Sequence, residues 1–235
     1  MITTGLFSQR FWLSLAFIGP LFFFLSCTQT KVEPETQKTS QSKQETSEET
    51  PSARVILFLG DSLTAGYGVS RDQAFPHLVE KKLNEGPLAP VRIVNGGQSG
   101  SLSSSALQNL EFYLNRLDPA LIVLTLGGND ARQGTDPQII RENLAQALRR
   151  AQEANKKVLL GGMQIFPNLG PEYTQAFAQI YPDLAREFSI PLIPFLLEGV
   201  AGEHEFNQYD GIHPNELGHK KIAQHILPFI SEALK

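Results

Sequence analysis

Cysteine is almost absent from this sequence of 235 residues, which contains Cys27 alone. A single cysteine cannot form an internal disulfide, and it excludes a zinc site built on paired cysteines as well as a dithiol redox centre. An excess of positive charge is also missing, because 24 Asp and Glu residues outnumber 20 Lys and Arg residues. Neutralising nucleic-acid phosphates requires a strongly basic face, so we expect no nucleic-acid partner.

Apolar side chains are plentiful by comparison, at 41% of the residues against 19% charged. A chain of this composition buries a substantial core, which excludes disorder over its whole length. The apolar residues are unevenly distributed, however, and they divide the chain into three segments.

The first segment, residues 1–27, has the layout of an export signal. No acidic residue precedes Arg10, and an almost continuously apolar run extends from Phe11 to Cys27. This run is interrupted by Gly19-Pro20 and is shorter than the roughly 20 residues that a spanning helix needs, so a permanent transmembrane anchor is the less favoured alternative.

The end of that run, Phe24-Leu25-Ser26-Cys27, resembles a bacterial lipobox, in which a small residue precedes a cysteine that is lipidated and becomes the new N-terminus. Phe24 and Leu25 stand where most lipoboxes carry a leucine and a small residue. The resemblance implies an exported lipoprotein anchored to the membrane through Cys27, in the periplasm or at the surface of a bacterium. An ordinary signal peptide with a chance cysteine remains the alternative.

The second segment, residues 28–53, consists almost wholly of Thr, Gln, Ser, Glu and Lys, with Val32 as its one sizeable apolar side chain. Such a composition cannot bury enough surface to fold, so we expect a disordered polar linker. As a flexible coil it would hold the following domain on the order of 30 Å from an anchor at Cys27.

The third segment, residues 54–235, alternates short apolar runs with amphipathic stretches. Runs of this kind, ended by glycine or polar residues, predict strands that are buried on both faces. The predicted strands are residues 55–59, 91–94, 121–126, 157–160 and 190–193. The predicted helices are residues 74–84, 102–117, 137–154, 172–188 and 215–235.

Five strands, each followed by a helix, predict an α/β fold in which a five-stranded parallel sheet lies between two helical layers, a three-layer α/β/α sandwich. We expect the flavodoxin-like strand order 2-1-3-4-5 within a single domain. Ligands of such folds bind at the carboxyl ends of the strands, so that edge should carry the chemistry.

Four polar or glycine-rich segments lie at that predicted edge: residues 60–68, 95–100, 127–130 and 210–214. Each of them taken alone is explained by turns and helix caps. Together and in this order they resemble the four conserved blocks of the SGNH, or GDSL, hydrolase superfamily. The resemblance runs from Val55 to the C-terminus, and it is strongest for the subgroup of bacterial acyl-CoA thioesterase I, which is also described as a lysophospholipase and an arylesterase.

The resemblance assigns a catalytic triad to three residues. Ser62 matches the nucleophile, His213 the base that takes its proton, and Asp210 the carboxylate that fixes the histidine tautomer. Asp210 precedes His213 by three residues, so a short turn can bring the carboxylate back onto the imidazole.

The same resemblance implies an oxyanion hole made by the backbone N–H of Ser62, the backbone N–H of Gly100 and the side-chain amide of Asn129. The acidic neighbours Asp61 and Asp130 are interpreted as structural, Asp61 through a loop hydrogen bond and Asp130 as a helix cap. The family often carries an acidic residue where this chain has Ser101, so no role of that acid transfers.

No cofactor or metal is expected. His219 and His225 lie six positions apart on a predicted helix with no carboxylate placed beside them, and His204 lies in an acidic loop. The glycine-rich loop at Gly60 lacks both the ending of a P-loop and the spacing of a dinucleotide fingerprint. A Gly-x-Ser-x-Gly elbow is missing too, which argues against an ordinary α/β-hydrolase.

These features favour a serine esterase, expected to be a monomer, that acts on a small-molecule acyl ester such as a lysophospholipid, a model ester or a thioester. A carbohydrate O-deacetylase of the same fold and a surface lipoprotein that only binds are the alternatives. Apolar side chains after strands four and five could line an acyl groove or belong to ordinary packing. They are Met163, Ile165, Phe166, Leu169, Phe195, Leu196, Leu197 and Val200.

Overall fold

A five-stranded parallel sheet forms the centre of the computed structural model, which describes residues 52–235. The expected signal segment with Cys27 and nearly all of the expected linker lie outside these residues. The strands are β1 (Arg54–Gly60), β2 (Val91–Asn95), β3 (Leu121–Thr125), β4 (Val158–Gly161) and β5 (Leu192–Ile193). Their order across the sheet is β2-β1-β3-β4-β5, which confirms the predicted topology.

The described helices are α1 (Ser62–Ala65), α2 (Phe75–Asn84), α3 (Ala106–Leu114), α4 (Gly128–Arg132), α5 (Pro137–Glu153), α6 (Pro171–Phe188) and α7 (Glu216–Ala233). Short 3₁₀ turns lie at Ser103–Ser105, Pro167–Leu169 and His204–Phe206. Helices α2 and α7 pack together, and α5 packs against both α3 and α6. The two groups cover the two faces of the sheet, which gives the predicted α/β/α sandwich.

The central strands are apolar on both faces because both faces are covered by helices. All five residues of β3 are buried, and so is β1 from Ile56 to Gly60. The parallel register places Ile56 beside Leu121 and Gly60 beside Thr125. Because the residues of these strands are buried, the polar residues that follow each strand lie together at one edge of the sheet.

Two predicted elements require correction. The helix predicted at residues 102–117 begins only at Ala106, because Ser103 is held in a 3₁₀ turn by the carboxylate of Asp130. The strand predicted at residues 190–193 is reduced to its last two residues, because the N–H of Ile190 completes α6 by donating to Ala185 O (3.0 Å). The helix predicted at residues 102–117 also ends three residues early, at Leu114, whereas the boundaries of the other predicted elements lie within two residues of those observed.

Within residues 52–235, no helix combines the length and the apolar character that crossing a membrane would require.

Candidate active site

Ser62 stands where β1 turns abruptly into α1. Asp61 is the N-cap of α1, and its Oδ1 accepts a hydrogen bond from the N–H of Leu63 (3.0 Å). Ser62 is the first helical residue, so its own N–H has no partner within the helix. The Ser62 side chain is 8% exposed, at the floor of an open pocket.

A continuous path of hydrogen bonds connects Ser62, His213 and Asp210. Nε2 of His213 lies 2.9 Å from Oγ of Ser62, and Nδ1 of the same ring lies 2.6 Å from Oδ2 of Asp210. Oδ1 of Asp210 accepts the backbone N–H groups of Ile212 and His213, each at 3.0 Å. The carboxylate thus fixes both the loop and the ring.

Asp210 stays ionised throughout the range in which a histidine titrates. Partial burial opposes its charge, but the hydrogen bonds from the His213 side chain and from the N–H groups of His213 and Ile212 outweigh that effect. The pKa of Asp210 is thereby lowered to about 2. An ionised carboxylate accepts a hydrogen bond from Nδ1–H, which leaves the lone pair of Nε2 directed at Ser62.

The loop that carries His213 is fastened to the loop that follows Ser62. The side-chain amide of Gln208 donates to the carbonyl oxygens of Tyr67 (2.7 Å) and Pro214 (2.9 Å), and the ring of Tyr67 contacts the His213 ring at a tilt of 43°, with 4.6 Å between centroids. These contacts join two segments that are far apart in the sequence. The distance in space between Ser62 and His213 is therefore determined by tertiary contacts.

Asn129 is positioned by a glycine that follows β3. Gly127 has φ 119°, and a Cβ at this position would lie 2.3 Å from the hydroxyl of Tyr181, which donates to Leu126 O (3.0 Å). Only glycine fits that combination of backbone and neighbour. Asn129 Nδ2 donates to the carbonyl of Ser101 (3.0 Å) and lies 3.5 Å from Oδ2 of Asp61.

The two acidic neighbours have the opposite roles to those predicted. Asp130 is not the cap of α4, whose N-cap is Gly127; its carboxylate instead accepts the N–H (2.8 Å) and the hydroxyl (2.5 Å) of Ser103. Asp61 is the residue that caps a helix. Asp61 is 4% exposed, and burial raises its pKa to about 6 although the N–H of Leu63 and the nearby His213 oppose the shift.

Gly100 lies in the exposed loop after β2, with φ 84°. It is not among the described residues that line the pocket, whereas Ser62, Asn129 and His213 are. Its connection to the site runs through its neighbour Ser101, whose carbonyl accepts the Asn129 amide. A Cβ on Gly100 would meet nothing within 4 Å, so the loop is open on that side.

The pocket beside Ser62 has a volume of about 560 Å³, within the range of small-molecule sites. Six of the eight apolar residues proposed for an acyl groove line it: Met163, Ile165, Phe166, Leu169, Phe195 and Leu197. Leu196 and Val200 do not, because both are fully buried in the core. Arg132, Gln164 and Asn168 also line the pocket, although no sequence motif singles them out.

Two of the remaining histidines each contact a different backbone group. Nδ1 of His219 accepts the N–H of Phe75 (3.2 Å), whereas Nε2 of His225 faces Phe195 O (2.9 Å). His204 is exposed. In the part of the chain that the structure describes, no three His, Cys, Asp or Glu side chains are grouped as a metal site requires.

A serine hydroxyl and an imidazole meet at the strand ends of this parallel α/β/α sandwich. That combination is typical of one class of protein, the hydrolases that attack acyl groups. Residues 58–221 match the model of the GDSL-like Lipase/Acylhydrolase family, and the chain belongs to that family. It is an ester-hydrolysing enzyme, as the named relatives indicate.

Among similar proteins is the esterase TesA of Pseudomonas aeruginosa, 37% identical over 183 residues that cover 77% of this chain and 90% of the relative. The thioesterase 1/protease 1/lysophospholipase L1 of Escherichia coli K12 is 40% identical over 171 residues, or 73% of this chain and 80% of the relative. A crystal structure of TesA superposes with a TM-score of 0.73 at 36% identity, covering 77% of this chain and 99% of that chain.

Proposed function

We propose that this enzyme hydrolyses fatty acyl esters, with Ser62 as the nucleophile, His213 as the general base and Asp210 as the residue that orients the imidazole. The observation that carries the proposal is the path from Asp210 through His213 to Ser62, with distances of 2.6 Å and 2.9 Å, beside a largely apolar pocket. A serine hydroxyl is a poor nucleophile at neutral pH unless a base removes its proton during the attack. The 2.9 Å contact between Nε2 of His213 and Oγ of Ser62 supports this role for His213.

The reaction has two halves. Nε2 of His213 takes the hydroxyl proton as Oγ of Ser62 bonds to the ester carbonyl, and the resulting imidazolium gives that proton to the departing alcohol. An acyl-serine remains. Water then attacks the acyl-serine with His213 again as the base, which releases the acid and restores Ser62. Asp210 stays ionised and stabilises the imidazolium in both halves.

Each attack places negative charge on the former carbonyl oxygen, and we assign three donors to it. They are the backbone N–H of Ser62, which has no partner within α1, the backbone N–H of Gly100 and the amide of Asn129. At 3.5 Å the contact from Asn129 to Asp61 is at the outer limit of a hydrogen bond, so one N–H of the amide can turn to the substrate. A preorganised donor of this kind contributes about 3 kcal/mol to transition-state stabilisation.

The pocket wall supports an acyl chain as the group that is bound. Met163 and Ile165 follow β4, Phe195 and Leu197 follow β5, and burying a methylene against such a wall contributes about 0.8 kcal/mol. Medium-chain esters should therefore be better substrates than acetyl esters. Aryl esters, lysophospholipids and acyl thioesters share the same carbonyl chemistry, and the names of the relatives include esterase, thioesterase and lysophospholipase.

A chain-length series with matched variants tests the proposal. We expect the full chain to hydrolyse p-nitrophenyl esters with kcat/KM rising from acetyl to octanoyl, and a fluorophosphonate probe to modify it at Ser62. Ser62→Ala should lose both activities and retain its circular dichroism spectrum. Ser231→Ala, near the far end of α7, is the matched control and should behave as the wild type.

Hydrolysis by Ser62→Ala at more than a few per cent of the wild-type rate would rule out this nucleophile. Acetylated sugars belong in the same panel, because a preference for them over octanoyl esters would favour the O-deacetylase alternative instead.

A further inference from the structure

One positively charged arginine lines the pocket beside Ser62. Among the described residues that form the pocket wall, Arg132 is the only Lys or Arg side chain, and the only acidic one is Asp61. Asp61 is 4% exposed and already accepts the N–H of Leu63. A ligand in the pocket therefore meets one accessible cation and no accessible carboxylate on the pocket wall.

Arg132 lies near Asn129, the side chain assigned to contact the reacting carbonyl. Arg132 is the last residue of α4 and follows Asn129 by three positions, so both side chains lie on the same face of that helical turn, about 5–6 Å apart at Cβ. Asn129 is the donor assigned to the oxyanion. A guanidinium at Arg132 consequently reaches groups a few bonds away from the ester carbonyl.

Arg132 is also unpaired within residues 52–235. Arg141, Arg149, Arg150 and Arg186 each lie within 4.0 Å of a carboxylate, whereas no described carboxylate lies that close to Arg132. The side chain is exposed, so it can turn toward a ligand. The exposed amides of Gln164 and Asn168 line the same pocket, in the loop after β4, the strand beside β3.

We infer that Arg132 binds an anionic group of the substrate, and that the enzyme prefers esters that carry a phosphate or carboxylate close to the reacting carbonyl. The planar guanidinium donates two parallel hydrogen bonds to either anion. The anion could belong to the alcohol, as in a monoacylglycerol phosphate, or to the far end of a short acyl chain, as in a dicarboxylic acid monoester. This inference rests on the proposed function and specifies the substrate of the same site.

Two substrate pairs that differ only in the anion separate these sources. The first pair is octanoylglycerol phosphate and octanoylglycerol; the second is p-nitrophenyl hydrogen adipate and p-nitrophenyl hexanoate, which have acyl chains of equal length. The kcat/KM of the full chain is measured for all four with the wild type, Arg132→Gln and Arg132→Lys. Arg92→Gln is the matched control, because Arg92 is an exposed arginine on β2 outside the pocket.

We expect Arg132→Gln to lower the ratio of kcat/KM for anionic over neutral substrate about tenfold in one pair, the loss appropriate to one charge-assisted hydrogen bond at an exposed site. Arg132→Lys should retain part of the preference, and added salt should weaken it in the wild type. Arg92→Gln should leave every ratio unchanged. The pair that responds identifies the part of the substrate that carries the anion.

Three results would overturn the inference. They are unchanged ratios in both pairs, an equal loss on all four substrates, and a wild type that hydrolyses the neutral esters but neither anionic one. An equal loss would mean that Arg132 only supports α4, where a cation near the helix C-terminus is favourable. Failure of the proposed function is seen separately, as hydrolysis of neutral esters by Ser62→Ala.

Discussion

Asn129 illustrates how the proposed mechanism gives one side chain of the site both a structural and a chemical role. Its amide holds the carbonyl of Ser101 at 3.0 Å, which fastens the loop containing Gly100, and the second N–H of the same amide is available for a developing oxyanion. The two roles have different experimental signatures. Loss of the fastening affects stability, whereas loss of the donor affects the transition state more than the bound substrate.

Replacing Asn129 with alanine should therefore lower kcat for p-nitrophenyl octanoate about a hundredfold to a thousandfold while KM changes little. Steady-state kinetics measure both constants, and the thermal midpoint reports the structural contribution separately. Asn129→Asp, which keeps the size but cannot donate when ionised, should be at least as impaired. A change confined to KM would show that the amide contributes to ground-state binding instead.

For individual residues, the sequence predicted the positions of the site residues better than the contacts that those residues make. The GDSL-like blocks placed Ser62, Asn129 and His213 at one edge of the sheet, where the structure brings them to one pocket. The roles of Asp61 and Asp130 were exchanged, because each depends on a partner chosen by the three-dimensional turn. The sequence did not single out Arg132 for the same reason, since the role proposed for it depends on the pocket that it borders.

Helices α2 and α7 are joined by a buried histidine that takes no part in the proposed chemistry. The N-cap of α2 is Ala74, which offers no side-chain acceptor, and Nδ1 of His219 instead accepts the N–H of Phe75 (3.2 Å). His219 is fully buried and stacks on the Phe75 ring. Its Nε2 has no hydrogen-bond partner among the described residues, and burial lowers the pKa of His219 to about 4.

This contact predicts an acid-sensitive free energy of unfolding. The unfolded histidine takes up a proton below its ordinary pKa of about 6.5, whereas the folded one does so only below about 4, so the unfolded state binds more protons between these values. Stability should be intact above pH 6.5 and should decrease as the pH falls toward 4. The full loss from this group is about 3 kcal/mol.

Urea unfolding of the wild type and His219→Gln at several pH values measures the effect. Glutamine can still accept the Phe75 N–H but does not titrate, so the stability difference between the two proteins should change between pH 6.5 and 4. His204→Gln, at an exposed position, should follow the wild type. The comparison is necessary because Asp61, with its raised pKa, contributes an opposite slope in both proteins. A difference that is independent of pH would contradict the prediction.

The sequence predicted the position of every strand because each contains a short group of apolar residues, and both helical layers bury the central strands. It did not predict α1 or α4, which have four and five residues and are too short for a helical periodicity to appear. Both helices depend on a single residue before them, Asp61 as a cap and Gly127 with its positive φ. The late start of α3 likewise depends on Asp130, a partner 27 positions away from Ser103.

At the scale of the whole molecule, we propose that the domain is held at a membrane by a lipid on Cys27. That cysteine is the only one in the chain, and it stands where the apolar run ends and the polar segment begins. A diacylglyceryl group on the sulfur and an amide-linked acyl chain on the new N-terminus would provide more than the two signals that stable anchoring needs. The domain itself then requires no anchoring surface.

Cys27→Ser should accordingly abolish incorporation of radioactive palmitate and shift the protein out of the membrane fraction. A chain from which residues 1–27 have been removed should be soluble and should hydrolyse p-nitrophenyl octanoate with an unchanged kcat/KM. The wild type serves as the reference for both measurements. Palmitate uptake by Cys27→Ser, or release of the wild type into the medium, would exclude a lipid at this residue.

The residues proposed for catalysis and most residues of the apolar wall come from different parts of the chain at the same edge of the sheet. Ser62 and Asn129 follow β1 and β3, and His213 precedes α7, whereas most of the apolar wall is supplied by the segments after β4 and β5. Among the described residues, none of these apolar wall residues after β4 and β5 shares a hydrogen bond with Ser62, Asp210 or His213. Substitutions in the apolar wall could therefore change which acyl group is preferred while the proposed catalytic residues stay the same.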